Sequence, residues 1–156
     1  MSRPGTPYRP PELVPAAGAV PRHTTAGAVI VHGGRLLLER RPDGARSYPA
    51  LWDTPGGHVD GGESPEDTLV RELDEELGIV ATRFLLGAVA DDVDERSQRF
   101  YRHFLYLLVG WTGEIVPRER QVLRWFELEE AARLPDLNPV VASALRDFMA
   151  KGWLPG

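Results

Sequence analysis

Cysteine is absent from all 156 residues, which excludes disulfides, thiolate metal sites and a cysteine nucleophile. Lysine occurs once, at Lys151, against 17 arginines; high-GC codon usage explains that skew more readily than ligand chemistry, although arginine also suits bidentate phosphate contacts. The four histidines show no metal-ligand spacing. No apolar run approaches the roughly 20 residues that a membrane helix needs, and the start of the chain has neither the basic segment nor the apolar stretch of a secretory signal. These absences set the expectation of a cytoplasmic protein with no membrane partner. What is present, 42% hydrophobic and 26% charged residues, matches an ordinary globular chain and excludes a wholly disordered, collagen-like or coiled-coil one. At this length a single domain buries about two-thirds of its unfolded surface and needs no covalent staple.

The net charge of −5 is unevenly placed. Between Gly57 and Ile79 eight acids face one base, Arg71, so this segment carries −7 and the rest of the chain +2. Such a segment repels polyphosphates and nucleic acid unless cations intervene, and no nucleic-acid partner is expected.

Six of the 14 prolines fall in the first 21 residues, where the chain favours extended or polyproline conformations. Residues 1–22 read as a proline-rich tail and 23–156 as one domain. Thr24 to Val31 and Leu36 to Arg40, joined by the turn His32-Gly33-Gly34-Arg35, read as a hairpin, and Pro42 to Pro55 as a loop. Phe84 to Ala90, Arg99 to Trp111 and Arg124 to Leu128 read as strands, with a polar loop from Asp91 to Gln98. The second of these strands is almost continuously apolar, as expected where both faces are covered. Glu129 to Arg133 is a helical turn. Asn138-Pro139 caps a last helix with Val141, Leu145 and Phe148 at core spacing.

Ser64-Pro65-Glu66-Asp67 opens a further helix: serine caps, proline fits the first helical position, and acids in the first turn complement the helix dipole. Gly78 closes it. At about 100° per residue, Glu72 and Glu76 lie about 40° apart and Glu75 about 60° to the other side, so three carboxylates share one face. Leu69, Val70, Leu73 and Leu77 form a separate stripe that docks on a sheet. Crowded like charges want a counter-ion, and hard oxygen ligands select Mg²⁺, with Mn²⁺ as a substitute.

The same segment contains Gly57, Glu63, Arg71, Glu72, Leu73, Glu75, Glu76, Gly78 and Ile79 in the order G, five residues, E, seven residues, R-E-apolar-x-E-E-x-G-apolar. This is a complete Nudix box, and the chain resembles the Nudix hydrolase family, with the strand order agreeing over approximately residues 24 to 150. The resemblance implies an α/β (α+β) fold, an α/β/α sandwich with a mixed sheet. It implies a phosphoanhydride hydrolase with divalent ions held by Glu72, Glu75, Glu76 and the Gly57 carbonyl. Arg71 would then orient Glu72 or Glu75, where the bare sequence shows only an intrahelical ion pair. Glu63 reads equally as a carboxylate supporting the site or as part of the helix-opening loop. The general base in such proteins is a box glutamate or one outside it; Glu75 and Glu76 are the inner candidates, and Glu119 the outer one. His58 and His103 are weaker candidates. Arg40 and Arg41 are placed to meet phosphates, and Trp52, Tyr48, Phe100 or Tyr101 to stack on a base.

The reaction class implied is Mg²⁺-dependent hydrolysis of a nucleoside diphosphate linked to a group X, a small-molecule nucleotide or other diphosphate. No proline lies between Pro65 and Pro117, where ADP-ribose-type relatives carry one, and Tyr101 lies 22 residues beyond Ile79, farther than in dinucleoside-polyphosphate relatives. The remaining resemblance is to nucleoside and oxidised-purine triphosphate pyrophosphatases. ADP-ribose, sugar-nucleotide and dinucleoside-polyphosphate hydrolysis stand as alternatives, as does a non-catalytic nucleotide-binding module. The intact glutamates favour an enzyme, and a homodimer is one assembly left open. The faint likeness of Tyr48 to Trp52 to isopentenyl diphosphate isomerases fails for want of a catalytic cysteine.

Overall fold

Local signals place the central helix. In the computed structural model, which describes residues 18–116 and 122–154, α1 runs Pro65–Leu77 with Ser64 as its N-cap. Ser64 Oγ accepts from the Asp67 amide at 3.1 Å and the Asp67 carboxylate accepts from the Ser64 amide at 3.3 Å, a reciprocal box that satisfies two orphan donors. Gly78 ends the helix at φ 70°, in the left-handed conformation glycine adopts without a Cβ penalty.

Eight strands form two four-stranded sheets: β1 His23–Val29, β2 Val31–His32, β3 Arg35–Arg40, β4 Trp52–Asp53, β5 Gly56–His58, β6 Val80–Val93, β7 Phe100–Thr112 and β8 Val122–Glu127. The first sheet is mixed, in order β5-β1-β7-β6. Its β1 runs parallel to β7 and antiparallel to β5, while β6 and β7 are antiparallel. The second is antiparallel, with β8 along one edge of β3 and β2 and β4 along the other. Two further helices follow, α2 Leu128–Ala132 and α3 Pro139–Ala150.

Alternation along β1 feeds two cores. Ala26, Ala28 and Ile30 pack with Leu69, Leu73 and Leu77 of α1, whereas Val29 joins Leu105, Leu145 and Phe148 beneath α3. The mixed sheet is therefore covered on both faces. Burying each α1 leucine contributes about 1.5–3 kcal/mol, more than helix propensity alone supplies. Among the described residues, no helix is long and apolar enough to cross a membrane.

Three sequence expectations need correction. The hairpin exists only between β2 and β3, two residues against two; β1 leaves for the other sheet because its pairing partners, β7 and β5, are remote in sequence. The expected loop from Pro42 to Pro55 contains β4, tied down by the Trp52 amide donating to Asp136 O at 2.8 Å and the Asn138 amide donating to Trp52 O at 2.9 Å. Strand β6 extends past Ala90 through Asp91 and Asp92, whose neighbours Arg102 and Tyr101 continue the ladder. Most of the proline-rich tail, residues 1–17, lies outside the described residues.

Candidate active site

The short stretch Thr54-Pro55-Gly56-Gly57 carries the chain from one sheet to the other and passes against the face of α1. Gly56 sits at φ 153°, and a Cβ there would run into the backbone of Ala26 and Gly27. At Gly57 a Cβ would fall on the carboxyl of Glu72. Both glycines are required by close approach. The Gly56 amide donates to Glu76 Oε2 at 3.3 Å.

Glu76 is 5% exposed, and Glu72 shares a hydrogen bond with it. Burial pushes the Glu76 carboxyl far above the usual carboxylate range, and the charges of Glu39 and Glu72 push it further. Burial likewise raises Glu72, against the pull of Arg71. Glu39 was not singled out in the sequence. It is a β3 residue, 9% exposed, and its only sequence signal is an acid interrupting an apolar run.

Arg71 organises the outer side. Its Nε and Nη2 grip the Glu63 carboxylate at 2.8 and 2.9 Å, and Nη1 reaches Glu72 Oε1 at 3.0 Å and Glu75 Oε2 at 3.2 Å. The two readings of Arg71 merge, since it holds both box glutamates. Glu63 is the anchor, also receiving Thr68 Oγ1 at 3.0 Å, and the Arg71 fork holds its carboxyl down at about 2.

The structure therefore brings Gly57, Glu72 and Glu76 together, while Glu75 is half-exposed and turned toward Arg71. Among the described residues no three His, Asp or Glu side chains converge as a finished metal shell. A buried Glu76 carboxyl and a partly buried Glu72 carboxyl in contact with it, beside a main chain that admits no Cβ, nevertheless fit a hard divalent cation, for which waters routinely complete an octahedral shell.

From Gly56 and Gly57 a cleft runs toward the N-terminus of α3. Arg41 lines it and Arg40 does not; Arg40 pairs instead with Asp43 at 3.1 Å. Arg41 is the sole arginine or lysine among the described lining residues. At the far end Asn138 caps α3 by accepting from the Val140 amide at 3.0 Å and donates Nδ2 to Asp53 Oδ2 at 3.2 Å. Desolvation raises the Asp53 carboxyl, partly offset by the charge of Arg41.

The aromatic candidates are largely committed elsewhere. Trp52 is 9% exposed with its ring edge-on to Phe126 at 4.9 Å, so it supports the core and does not stack on a base. Tyr101, 1% exposed, stacks on His103 at 5.4 Å and meets Ser47 Oγ through its hydroxyl at 2.6 Å. Its burial leaves no open ring face. His103 lines the cleft, its Nδ1 2.6 Å from Thr25 Oγ1. Glu119 lies outside the described residues.

A helix-borne carboxylate pair beneath a glycine passage, beside a cleft, fits the class that comparison with known proteins shows: hydrolases of phosphoanhydride bonds. The family model for the NUDIX domain matches residues 21–148, and the chain belongs to the Nudix hydrolase family. It is 40% identical over 125 residues to the CTP pyrophosphohydrolase of Escherichia coli strain K12, covering 79% of this chain and 88% of that one. With the 8-oxo-dGTP diphosphatase of Haemophilus influenzae it shares 38% over 120 residues, covering 72% and 82%. The crystal structure of the MutT NUDIX hydrolase from Burkholderia pseudomallei superposes with a TM-score of 0.69 at 33% identity, over 80% of this chain and 96% of that one.

Proposed function

We propose that the chain is a Mg²⁺-dependent pyrophosphohydrolase of nucleoside triphosphates, oxidised-purine triphosphates included. The observation that carries this is the make-up of the cleft: Gly57, with the Glu72 carboxyl against it, lines one end, and Glu39, Arg41, Asp53 and Asn138 line the remainder. The acidic end suits a cation-complexed diphosphate, and the amide–carboxyl end suits the hydrogen-bonding edge of a base. Similarity to proteins named for CTP and 8-oxo-dGTP, both triphosphates, supports the same reading.

Glu72, Glu76 and the Gly57 carbonyl would hold the cation, with Glu75 as a further ligand. Bound there, Mg²⁺ or Mn²⁺ would neutralise the diphosphate and acidify a water. Arg71 keeps Glu72 aimed inward through its 3.0 Å bond, and Arg41 takes a phosphate oxygen in place of solvent. The proton of the attacking water passes to a glutamate, and Glu75→Gln and Glu119→Gln compared in parallel identify which one.

Formation of the nucleoside monophosphate from CTP, 8-oxo-dGTP, ADP-ribose, a sugar nucleotide and a dinucleoside polyphosphate tests the reading. Turnover of triphosphates is expected to dominate, and Glu76→Gln to lower kcat by about 10³ with the fold retained, the loss typical of removing a transition-state electrostatic partner. Near-normal turnover by that variant would overturn the site assignment, and preference for ADP-ribose would overturn the substrate.

A further inference from the structure

We propose that Tyr48 is a positioning residue for the substrate: it clamps the 47–48 peptide unit so that Arg41 is aimed into the cleft, and thereby sets KM. This rests on the reading of Arg41 given above. Tyr48 lies at φ 51° and Ala50 at φ 60°, on either side of Pro49. Residues with a Cβ hold such backbone only where their surroundings over-determine it.

The surroundings here do so from two strands, β6 and β7, and the turn between them. The Tyr48 amide donates to Asp94 Oδ1 at 3.0 Å and its hydroxyl to Asp92 Oδ2 at 2.7 Å. The same hydroxyl lies 2.9 Å from His103 Nε2. Because that hydroxyl spends its proton on Asp92, it accepts from His103 Nε2, whose ring also meets Thr25 Oγ1 through Nδ1. The chain Thr25–His103–Tyr48–Asp92 thus runs from β1 through β7 and the loop at Tyr48 to β6.

Arg41 is fastened to the same unit. Its Nε donates to the Ser47 carbonyl at 2.9 Å, and that carbonyl belongs to the same planar peptide as the Tyr48 amide. One rigid plane is therefore held by Asp94 at one edge and holds Arg41 at the other. A rotation that releases either bond releases both. Ser47 Oγ, within reach of Tyr101 Oη at 2.6 Å and Ser97 Oγ at 3.0 Å, blocks drift of the plane without fixing its rotation.

The test is a double-mutant cycle on the full chain with Mg²⁺ and CTP or 8-oxo-dGTP. Tyr48→Phe keeps the ring and removes the hydroxyl. It is expected to raise KM about tenfold with kcat within about twofold, the size of one lost hydrogen bond. Arg41→Gln is expected to raise KM more, and adding Tyr48→Phe to it to change nothing further. A tenfold effect of Tyr48→Phe that persists in the Arg41→Gln background would overturn the positioning role alone. An Arg41→Gln variant with unchanged KM would overturn the reading of Arg41 itself. Nitrogen NMR of the Arg41 Nε–H adds a readout in the absence of substrate: its exchange is expected to quicken in Tyr48→Phe, and unchanged protection would refute the clamp. Should Tyr48→Phe misfold, His103→Gln reads the same coupling one bond farther out.

Discussion

Gly56 and Gly57 are adjacent glycines with different duties, and replacing each by alanine separates fold from chemistry. A Cβ on Gly57 would lie 2.5 Å from Glu72 Cδ and 3.0 Å from its Cγ, while the backbone at Gly57 is outside the left-handed region. Carbon atoms settle at about 3.5–4.0 Å, so the Glu72 carboxyl must retreat by roughly 1 Å. It is the far end of a flexible side chain, and the cost to the fold is on the order of 1 kcal/mol. The cost to catalysis is larger, because a misplacement of about 1 Å lowers rates by around 10². At Gly56 the obstacle is backbone: Gly27 Cα would lie 2.7 Å away, at the pair Gly27↔Gly56 that joins β1 to β5. That cannot yield without parting two strands, at about 3 kcal/mol or more. Thermal unfolding beside pyrophosphate release is the assay. Gly57→Ala is expected to keep its Tm within about 4 °C and lose about 100-fold in kcat/KM, whereas Gly56→Ala drops Tm by roughly 6–12 °C. Gly57→Ala turnover within threefold of the parent would refute the reasoning, as would equal loss of Tm in the two variants.

Two other perturbations follow from the packing and the charges. The Glu63 carboxyl is lowered from 4.5 to about 2 by the Arg71 fork, so its contribution to stability is present above pH 4.5 and lost as pH falls toward 2. Glu63→Gln should therefore melt below the parent at neutral pH, with the difference vanishing across that acidic window; a constant difference would mean that the ion pair is not its source. Gly87 lies directly beneath the Phe148 ring, leaving no room for a Cβ. Gly87→Ala is expected to destabilise by about 1–3 kcal/mol, and Phe148→Leu to cost stability in the parent but restore it in that background, measured by denaturant unfolding.

Helix α1 was legible because its signals are local: a cap, a proline, acids in the first turn and a closing glycine, all within the segment they govern. The box carboxylates came with it, since a 3.6-residue period places Glu72 and Glu76 together wherever the helix docks. The strands were harder, because pairing is settled by partners far along the chain. The glycine turn at 33–34 announces a hairpin, and one exists, yet Val29 and Ile30 face opposite cores and the chain changes sheets beside them. Nothing within ten residues encodes that crossing. Arg40 and Arg41 look equivalent in sequence; β3 pairing directs the first to Asp43 and leaves the second to the cleft. Glu39 escaped notice for the same reason, since only its register against Asp53 and Leu123 brings it near Glu76. Trp52 illustrates the reverse: an aromatic beside a motif resembles a ligand platform until Phe126, 74 positions later, is found against it.

The stretch Trp52–His58 explains why cutting the strands into two sheets serves the chemistry. Strand β4 belongs to the antiparallel sheet and β5 to the mixed one, with only Thr54 and Pro55 between them. Thr54 Oγ1 occupies the space a Gly27 side chain would need, and Pro55 O accepts from the Ala28 amide at 2.9 Å, so the passage is locked against β1. Asp53 stands before the crossing and Gly57 after it. Four residues of extended chain span at most about 13 Å, which fixes the reach between the amide–carboxyl end of the cleft and the carboxylate pair. Under the proposed function the base meets the first of these ends and the diphosphate the second. On that reading bare pyrophosphate is expected to be a poor substrate beside a nucleoside triphosphate, and equal turnover of the two would refute it. Under the proposed function, a base at Asp53 and Asn138 and a diphosphate beside Gly57 are served by strands of different sheets, held in register by a single short crossing.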